Sequence, residues 1–461
     1  MKIMFKMSVI VVIAISWLFT ANAQESAVKT DSMCLTLDEC LRIALNENPT
    51  IRVADMEIQR VDYSKKEILG QLLPSVSFGG QYNRTLARQT MHMNFNGQSQ
   101  SIKVGSDNSY NLGFNASVPI IAPQLWKSLK LSDNQILQNV ETARSSRISL
   151  INQVQKAYYS LLYAKDALSV LKDNHATAML NADIYKKKFE TGTASEYDVL
   201  RSSVQVKNLE PSILDAENSI SQAKLQLKLL MGMDMALNID VRGQLSDYQS
   251  NLYDQTMLLN PSLQDNTSLR SLDLKTDYLQ KALDVQKMAW YPTLSGNINY
   301  SWTSLSDGSP FKNFQWNAYS VAGLTLSIPI FQGGIRYNKQ KQAEISLREM
   351  KWQRDNLERS LKLQVQTQYD NIQKSVKQIT TNELGVQQAE KANQIMEKSF
   401  RIGAASYLDL RDSENALLSA KLAYYQSIYS YLVAHSDLKY VLGNTDLNQY
   451  APALPTTENN K

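Results

Sequence analysis

Asp409 and Asp412 stand three residues apart, so on a helix they share one face. Carboxylates gathered on such a face attract cations and penalise anions, and become a ring if several copies bring that face to one axis. Asp409 also has a local role open to it. Ser406-x-x-Asp409 has the form of a capping box, as does Ser195-x-x-Asp198, and an acid there favours the positive end of the helix dipole. The two roles are compatible. Asp412 has no capping role, which makes it the sharper candidate for a gate, with Asp409 and Asp198 beside it. The acids follow two turns, Gly192-Thr193-Ala194-Ser195 and Gly403-Ala404-Ala405-Ser406, whose glycines suit the left-handed conformation at a helix end. Phe189 and Phe400, just before the turns, read as packing residues.

Other chemistry finds no support. Met91-His92-Met93 offers soft metal ligands, but in a polar stretch with no further ligand nearby. There is no phosphate-binding glycine loop, nucleophile elbow or zinc spacing, so no catalytic residue, cofactor or bound metal is expected. With 48 basic against 44 acidic residues, the chain lacks the concentrated basic face that nucleic acid requires. Cys34 and Cys40 flank the apparent capping box Thr36-x-x-Glu39 and are expected to be unpaired, partly buried thiols rather than a disulfide.

The elements that must position the acids come in duplicate. The segment from Phe189 to Asp198 is echoed 211 residues later by that from Phe400 to Asp409, and Leu230-Met231-Gly232 by Val441-Leu442-Gly443. Ser117-Val118-Pro119-Ile120 is echoed by Ser327-Ile328-Pro329-Ile330, Leu73-Pro74 by Tyr291-Pro292, and Asn48-Pro49 by Asn260-Pro261. By this alignment Arg201 is the counterpart of Asp412, and Leu422 of Pro211. Landmarks in one order in both halves indicate a duplicated unit.

Each half has two strand-like runs of alternating polarity. The first half has Val76, Phe78, Gly80, Tyr82 and then Tyr110, Leu112, Phe114, Ala116, Val118; the second has Leu294, Gly296, Ile298, Tyr300, Trp302 and then Ala322, Leu324, Leu326, Ile328. This is the pattern of a membrane β-strand, apolar outward and polar inward, although a half-buried soluble sheet shares it. Tyr319 and Val321 fall on the wrong parity, which predicts a bulge or a later start in the fourth run. Tyr82, Tyr110, Tyr300, Trp302, Trp316 and Tyr319 gather towards the loop ends like an interfacial girdle.

Each half also predicts long helices. Val199, Val206, Ile213, Ile220 and Leu227 recur every seven residues, as do Leu410, Leu417, Tyr424, Tyr431 and Leu438, each set beside smaller partners in a coiled-coil seam. A third seam runs from Ile136 to Leu171, interrupted by Arg147. A helix over 124–189 would reach ~95 Å, longer than a compact domain needs. Pro211 should kink or break the helix that holds it.

Lys2 and Lys6, an apolar run and Ala21-Asn22-Ala23 form a secretory signal, and no later stretch is apolar enough for a membrane helix. Four strands cannot close a barrel, and an open edge in lipid leaves backbone groups unsatisfied. Two copies would give a filled barrel, whereas three give twelve strands with room for a channel.

At this point the chain resembles the TolC-like outer-membrane efflux family, the outer-membrane factors of tripartite efflux or type I secretion systems. The resemblance runs from about Leu35 to Gly443 and rests on the duplicated Phe-x-x-Gly turns, the Leu-Gly helix ends and the Pro-flanked strand pairs. It implies a mixed α and β fold: a trimeric 12-stranded transmembrane β-barrel, four strands per chain, continued by a long α-helical coiled-coil periplasmic tunnel. It implies an outer-membrane exit duct with its helices in the periplasm. The partners would be two further copies in a homotrimer, outer-membrane lipid, a periplasmic adaptor (membrane fusion) protein and an inner-membrane pump of RND or ABC type. Segments 85–108 and 303–317 would face outside the cell. The turns at Gly192 and Gly403 would form the periplasmic tip and dock the adaptor, with Asp409 and Asp412 as acidic rings at the entrance. Some family members close the tip with a basic residue two positions after the second glycine, where this chain has Ala405.

The expected organisation is a signal peptide at 1–23, an N-terminal segment and first periplasmic helix at 24–71, strands 1–2 at 72–121 and a helical hairpin at 122–232. A linker and opening helix follow at 233–290, strands 3–4 at 291–330, a second helical hairpin at 331–443 and a tail at 444–461. A secreted coiled-coil structural or adhesion protein would explain the heptads but not the strand pairs, and a simple porin the reverse. An extracytoplasmic enzyme would have no site.

Overall fold

A computed structural model describes residues 33–95, 98–251, 262–312, 314–445 and 447–450; the signal segment 1–23 and residues 451–461 of the tail lie outside the described residues. The strands are β1 (Met33–Leu35), β2 (Ser75–Arg84), β3 (Gln89–Phe95), β4 (Gln98–Val104), β5 (Asn108–Ile121), β6 (Ile239–Val241), β7 (Thr293–Ser306) and β8 (Asn317–Ser327). The helices are α1 (Leu37–Glu47), α2 (Pro49–Gly70), α3 (Pro123–Glu190), α4 (Glu196–Met231), α5 (Thr267–Met288), α6 (Ile335–Arg401) and α7 (Tyr407–Leu442). Helices α3 and α6 have 68 and 67 residues, so each spans about 100 Å. Helices α4 and α7 have 36 residues each and fold back along them. Among the described residues no helix is long and apolar enough to cross a membrane.

The central sheet has the antiparallel order β2-β5-β7-β8. Its register brings Phe78, Phe114, Tyr300 and Ser320 into one row, with Tyr82, Tyr110 and Ser304 in another on the same side. Because side chains alternate across a strand, Val76, Phe78, Leu112, Phe114, Ile298, Trp302, Leu324 and Leu326 make one apolar face. Ser77, Gln81, Asn111, Asn115, Asn297, Asn299 and Thr325 make the opposite, polar face. A one-residue slip would scramble both faces, so the alternation pins the register.

Several expectations are corrected. β8 starts at Asn317 and pairs with β7 without a bulge, so Tyr319 and Val321 lie on the polar face; the register shift falls instead in β5, between Pro119 and Ile121. Segment 85–108 is no plain loop, because β3 and β4 pair as a separate hairpin. β7 extends to Ser306, which shortens the second connection. α4 is continuous through Pro211: the lost amide bond removes one rung without ending a helix packed along α3. The expectation of unpaired cysteines, by contrast, holds: Cys34 is exposed and Cys40 buried, both as free thiols.

The counterpart of Asn48 is also reassigned. Asn48 caps α2, its Oδ1 accepting from Thr50 N at 2.8 Å while its Nδ2 donates to Leu230 O at 2.8 Å. Asn266, not Asn260, repeats this at α5: Oδ1 accepts from Leu269 N at 2.9 Å and Nδ2 donates to Val441 O at 2.6 Å. Asn260 lies outside the described residues. Each asparagine thus ties the start of a short helix to the C-terminal end of the helix running up from the tip. Seven residues beyond each, Asp55 and Asp273 bind arginines of the long helices, Arg147 at 2.7 Å and Arg354 at 2.6 Å. Arg147, which interrupts the apolar seam of α3, is therefore a buried partner of Asp55. The main core lies around this level, where Leu41, Val154, Tyr158, Leu161, Leu227, Met231, Ile239 and Leu438 are buried together.

Candidate functional site at the helical tip

Helices α3 and α6 end in matching turns. Gly192 and Gly403 have φ of 74° and 77°, in the left-handed region where a Cβ is penalised. The residues after them close the turns: Thr193 N donates to Lys188 O, and Ala404 N to Ser399 O, each at 2.8 Å. Helices α4 and α7 then open with reciprocal caps. Ser195 Oγ donates to Asp198 Oδ2 at 2.7 Å and accepts from Asp198 N at 3.2 Å. Ser406 Oγ donates to Asp409 Oδ2 at 2.7 Å and accepts from Asp409 N at 3.3 Å, while Ser406 N donates to Asp409 Oδ2 at 3.0 Å. These bonds to the Ser406 hydroxyl and amide hold the Asp409 carboxyl below its ordinary value. Asp412 is exposed one turn on and accepts from Arg411 Nη2 at 3.0 Å. Asp198 and Asp409 are thus engaged as caps, and only Asp412 has no helix-opening role.

The two tips differ in packing. Tyr185, Phe400, Tyr407 and Leu410 are buried together, with Ala194 and Ala405 half-buried against them. Lys188 Nζ lies 5.0 Å from the Phe400 ring centre and 5.6 Å from that of Tyr185. Phe400 is therefore 7% exposed, whereas its echo Phe189 is 46% exposed. Similar turn sequences have become unlike surfaces: Tyr185 and Tyr407 pack on Phe400, and their counterparts by the 211-residue offset are Met396 and Glu196.

Two turns further along the bundle is a contact that the sequence reading missed. Asn181 Nδ2 on α3 donates to Glu414 Oε1 on α7 at 2.8 Å, and both residues are buried. The available signal was an acid four residues after the seam residue Leu410. Burial raises the Glu414 carboxyl above its ordinary value; the Asn181 bond opposes the shift and Glu397 adds to it. A carboxyl raised on folding favours the folded chain while protonated and penalises it once ionised. Its contribution is fullest below the unfolded value and is lost as pH rises through the folded one. Glu414→Gln stays neutral, so it should melt higher than the parent above neutrality and lose that advantage in acid. Asn181→Ala should cost about 1–3 kcal/mol at neutral pH by leaving the carboxylate unpaired. Thermal unfolding followed by circular dichroism across pH checks both.

The Met91-His92-Met93 run does not gather into one site. On β3 the two methionines pair opposite Ile102 and Gln100 on one face, while His92 pairs opposite Ser101 on the other. No group of three or more His, Cys, Asp or Glu side chains among the described residues could hold a metal ion.

Comparison with known proteins agrees with this architecture. The family model described as outer membrane efflux protein matches residues 40–233 and 258–444. The outer membrane protein TolC of Escherichia coli is 24% identical over 86% of this chain and 80% of its own. The alkaline protease secretion protein AprF of Pseudomonas aeruginosa is 23% identical over 94% of this chain and 89% of its own. Among solved structures, the CmeC outer membrane channel of Campylobacter jejuni superposes with a TM-score of 0.71 at 19% identity, covering 88% of this chain and 85% of that one. With both halves of the chain matched, this protein belongs to the outer membrane efflux protein family, and is an outer-membrane exit duct for efflux or secretion systems.

Proposed function

We propose that three copies of this chain close a 12-stranded barrel in the outer membrane and extend it as an α-helical tunnel into the periplasm. The observation that carries this reading is the four-stranded sheet with one apolar and one polar face, at whose edges β2 and β8 lack further partners among the described residues. In lipid each open edge would strand a row of backbone donors and acceptors, so β8 of one copy must meet β2 of the next. Three copies are the smallest ring with space for cargo. The paired strands and helical hairpins then act as two copies of one duplicated unit, organised over the segments given above from the sequence, and the chain works as a passive conduit without a catalytic step. Light scattering or native mass measurement in detergent should give a trimer; a monomer that still inserts into membranes would sink the assignment.

At the tip, the exposed Asp412 with Asp409, and Asp198 behind them, line the entrance. The turns Gly192-Thr193-Ala194-Ser195 and Gly403-Ala404-Ala405-Ser406 receive a periplasmic adaptor, which connects the duct to an inner-membrane pump of RND or ABC type. Because this chain has Ala405 where a latching base could stand, the buried aromatic cluster and the Asn181–Glu414 bond carry the contact between the two hairpins of each chain. Ala194 and Ala405 pack against that cluster, so the cleaner test is a charged residue in place of the exposed Thr193 and Ala404, which should leave assembly intact yet abolish efflux and adaptor cross-linking. Normal pumping by that variant would move the docking surface elsewhere.

A further inference from the structure

The connection between β7 and β8, expected to lie at the external end of the barrel, folds back over one end of the sheet, and over its apolar side. The Phe311 ring lies tilted, with its centre 5.2 Å from that of Tyr82 and 5.8 Å from that of Tyr110, and Phe314 lies edge-on to Tyr110 at 4.8 Å. Tyr82 and Tyr110 share the apolar face with Phe78, Phe114 and Trp302. Phe311 N donates to the Tyr110 hydroxyl at 2.8 Å, and Gln315 N to Ser304 Oγ, on the same face, at 3.0 Å. Tyr110 and Ser304 are buried as a result.

This placement is built, not incidental. Phe311 has φ of 62°, unusual for a bulky residue and held here by the Tyr110 bond and the ring contacts. The base of the segment is pinned as well. Arg88 bridges Asp107 and Asp307, Asp307 Oδ1 accepts from Asp107 N at 3.0 Å, and Asp107 Oδ2 accepts from Gly308 N at 2.9 Å. Outward, the segment presents Phe311 (65% exposed), Phe314, Trp316 and the ammonium of Lys312, with Arg84 on the same face at the end of β2.

We propose that residues 307–312 and 314–316 form a flap on the lipid side of the barrel that docks into the anionic headgroup layer of the surrounding membrane. The proposal rests on the barrel orientation given above. The flap is continuous with the lipid-facing side of the sheet, and exposed aromatics beside cations suit the boundary between acyl chains and anionic headgroups. Arg84, Arg88 and Lys312 stand there against Asp107 and Asp307, both of which Arg88 already binds. Arg84 also lies in the field of Asp107, so Lys312 is the cation left to meet anionic headgroups.

The test uses the full-length protein in vesicles of phosphatidylglycerol or phosphatidylcholine, with Cys34→Ser and a fluorophore on Ser309→Cys in the flap or Leu324→Cys on the apolar face of β8. The Leu324 label should be quenched by lipids spin-labelled deep in the acyl chain, and the Ser309 label by lipids spin-labelled at the headgroup. Flap quenching should be stronger in phosphatidylglycerol, and Lys312→Glu should shift the docked-to-free ratio at least about fivefold towards free. If the Leu324 label is quenched while the Ser309 label is untouched, the flap is not at the membrane and the proposal falls while the barrel stands. Equal flap quenching in both lipids, unaffected by Lys312→Glu, overturns the assignment to anionic headgroups and the proposal with it. An unquenched Leu324 label overturns the barrel orientation and the flap with it.

Discussion

Gly443→Ala should lower the thermal unfolding temperature of the detergent-solubilised protein far more than Gly403→Ala does. Both glycines are left-handed, with φ of 67° and 77°, so each substitution pays a conformational penalty of roughly 1–2 kcal/mol. They differ in what a Cβ would meet. At Gly403 nothing lies within 4 Å, whereas at Gly443 the added atom would come within 2.0 Å of Asp265 O. That oxygen is backbone at the entrance to α5, so relief requires the joint to open. Opening breaks the bond from Asn266 Nδ2 to Val441 O, and each buried polar group left unpaired costs about 1–3 kcal/mol. The total should exceed about 4 kcal/mol, a range that single substitutions rarely reach. Gly232→Ala, whose Cβ would lie 2.7 Å from Glu47 O, should fall between the two. Circular dichroism melts of the three variants decide the matter. Equal losses for Gly443→Ala and Gly403→Ala would mean that backbone conformation, not the close joint, is what the glycine serves.

Removing the tip acids should change conduction rather than folding, provided the cap is spared. Asp409→Ala would confound the two, since loss of a helix cap costs about 1 kcal/mol. Asp409→Asn keeps an oxygen that can accept from Ser406 N, and Asp412 makes no cap, so Asp409→Asn with Asp412→Ala strips the charge and retains the helix start. In a trimer this removes two carboxylates per chain from the entrance. Near a protein surface one unit-charge contact is worth several kcal/mol at 4 Å, so divalent-cation block should weaken by at least about tenfold. Single-channel conductance should rise as cations cease to dwell there. Planar-bilayer recordings with and without divalent cations measure both quantities. If block and conductance stay at parental values, these carboxylates do not line the narrowest point, and Asp409 serves as a cap alone.

The elements and their order were readable from the chain because they rest on short-range chemistry. Period-two alternation marked the four strands of the sheet, heptads marked α4 and α7, and Ser406-x-x-Asp409 and Ser195-x-x-Asp198 marked their helix starts. The left-handed glycines of the turns belong to the same class, since backbone sterics within a few residues require them. The bulge or later start expected in β8 is absent: Tyr319 and Val321 keep the parity of the strand and lie on its polar face. Their side is set by the pairing with β7, which continues regularly from Leu326 to Ala318.

Contacts between distant segments were not readable in the same way. Asn260-Pro261 looked like the echo of Asn48-Pro49, but the structural counterpart is Asn266, because the role is defined by reaching Val441 O, which lies 175 residues away. Glu414 showed no motif, and its bond to Asn181 spans 233 residues. The fold of residues 307–312 and 314–316 depends on Tyr110 and Arg88, which belong to the other half of the chain. The sequence by itself determined the four strands of the central sheet, the long helices and the turns between them, since propensity, capping and periodicity act within a few residues; the β3–β4 hairpin and the face taken by the start of β8 were not among them. Only the tertiary structure decided which buried polar groups find partners, which of two similar tips packs its phenylalanine away, and on which side of the sheet a connection lies. Those outcomes depend on desolvation and close packing between residues that the chain holds far apart.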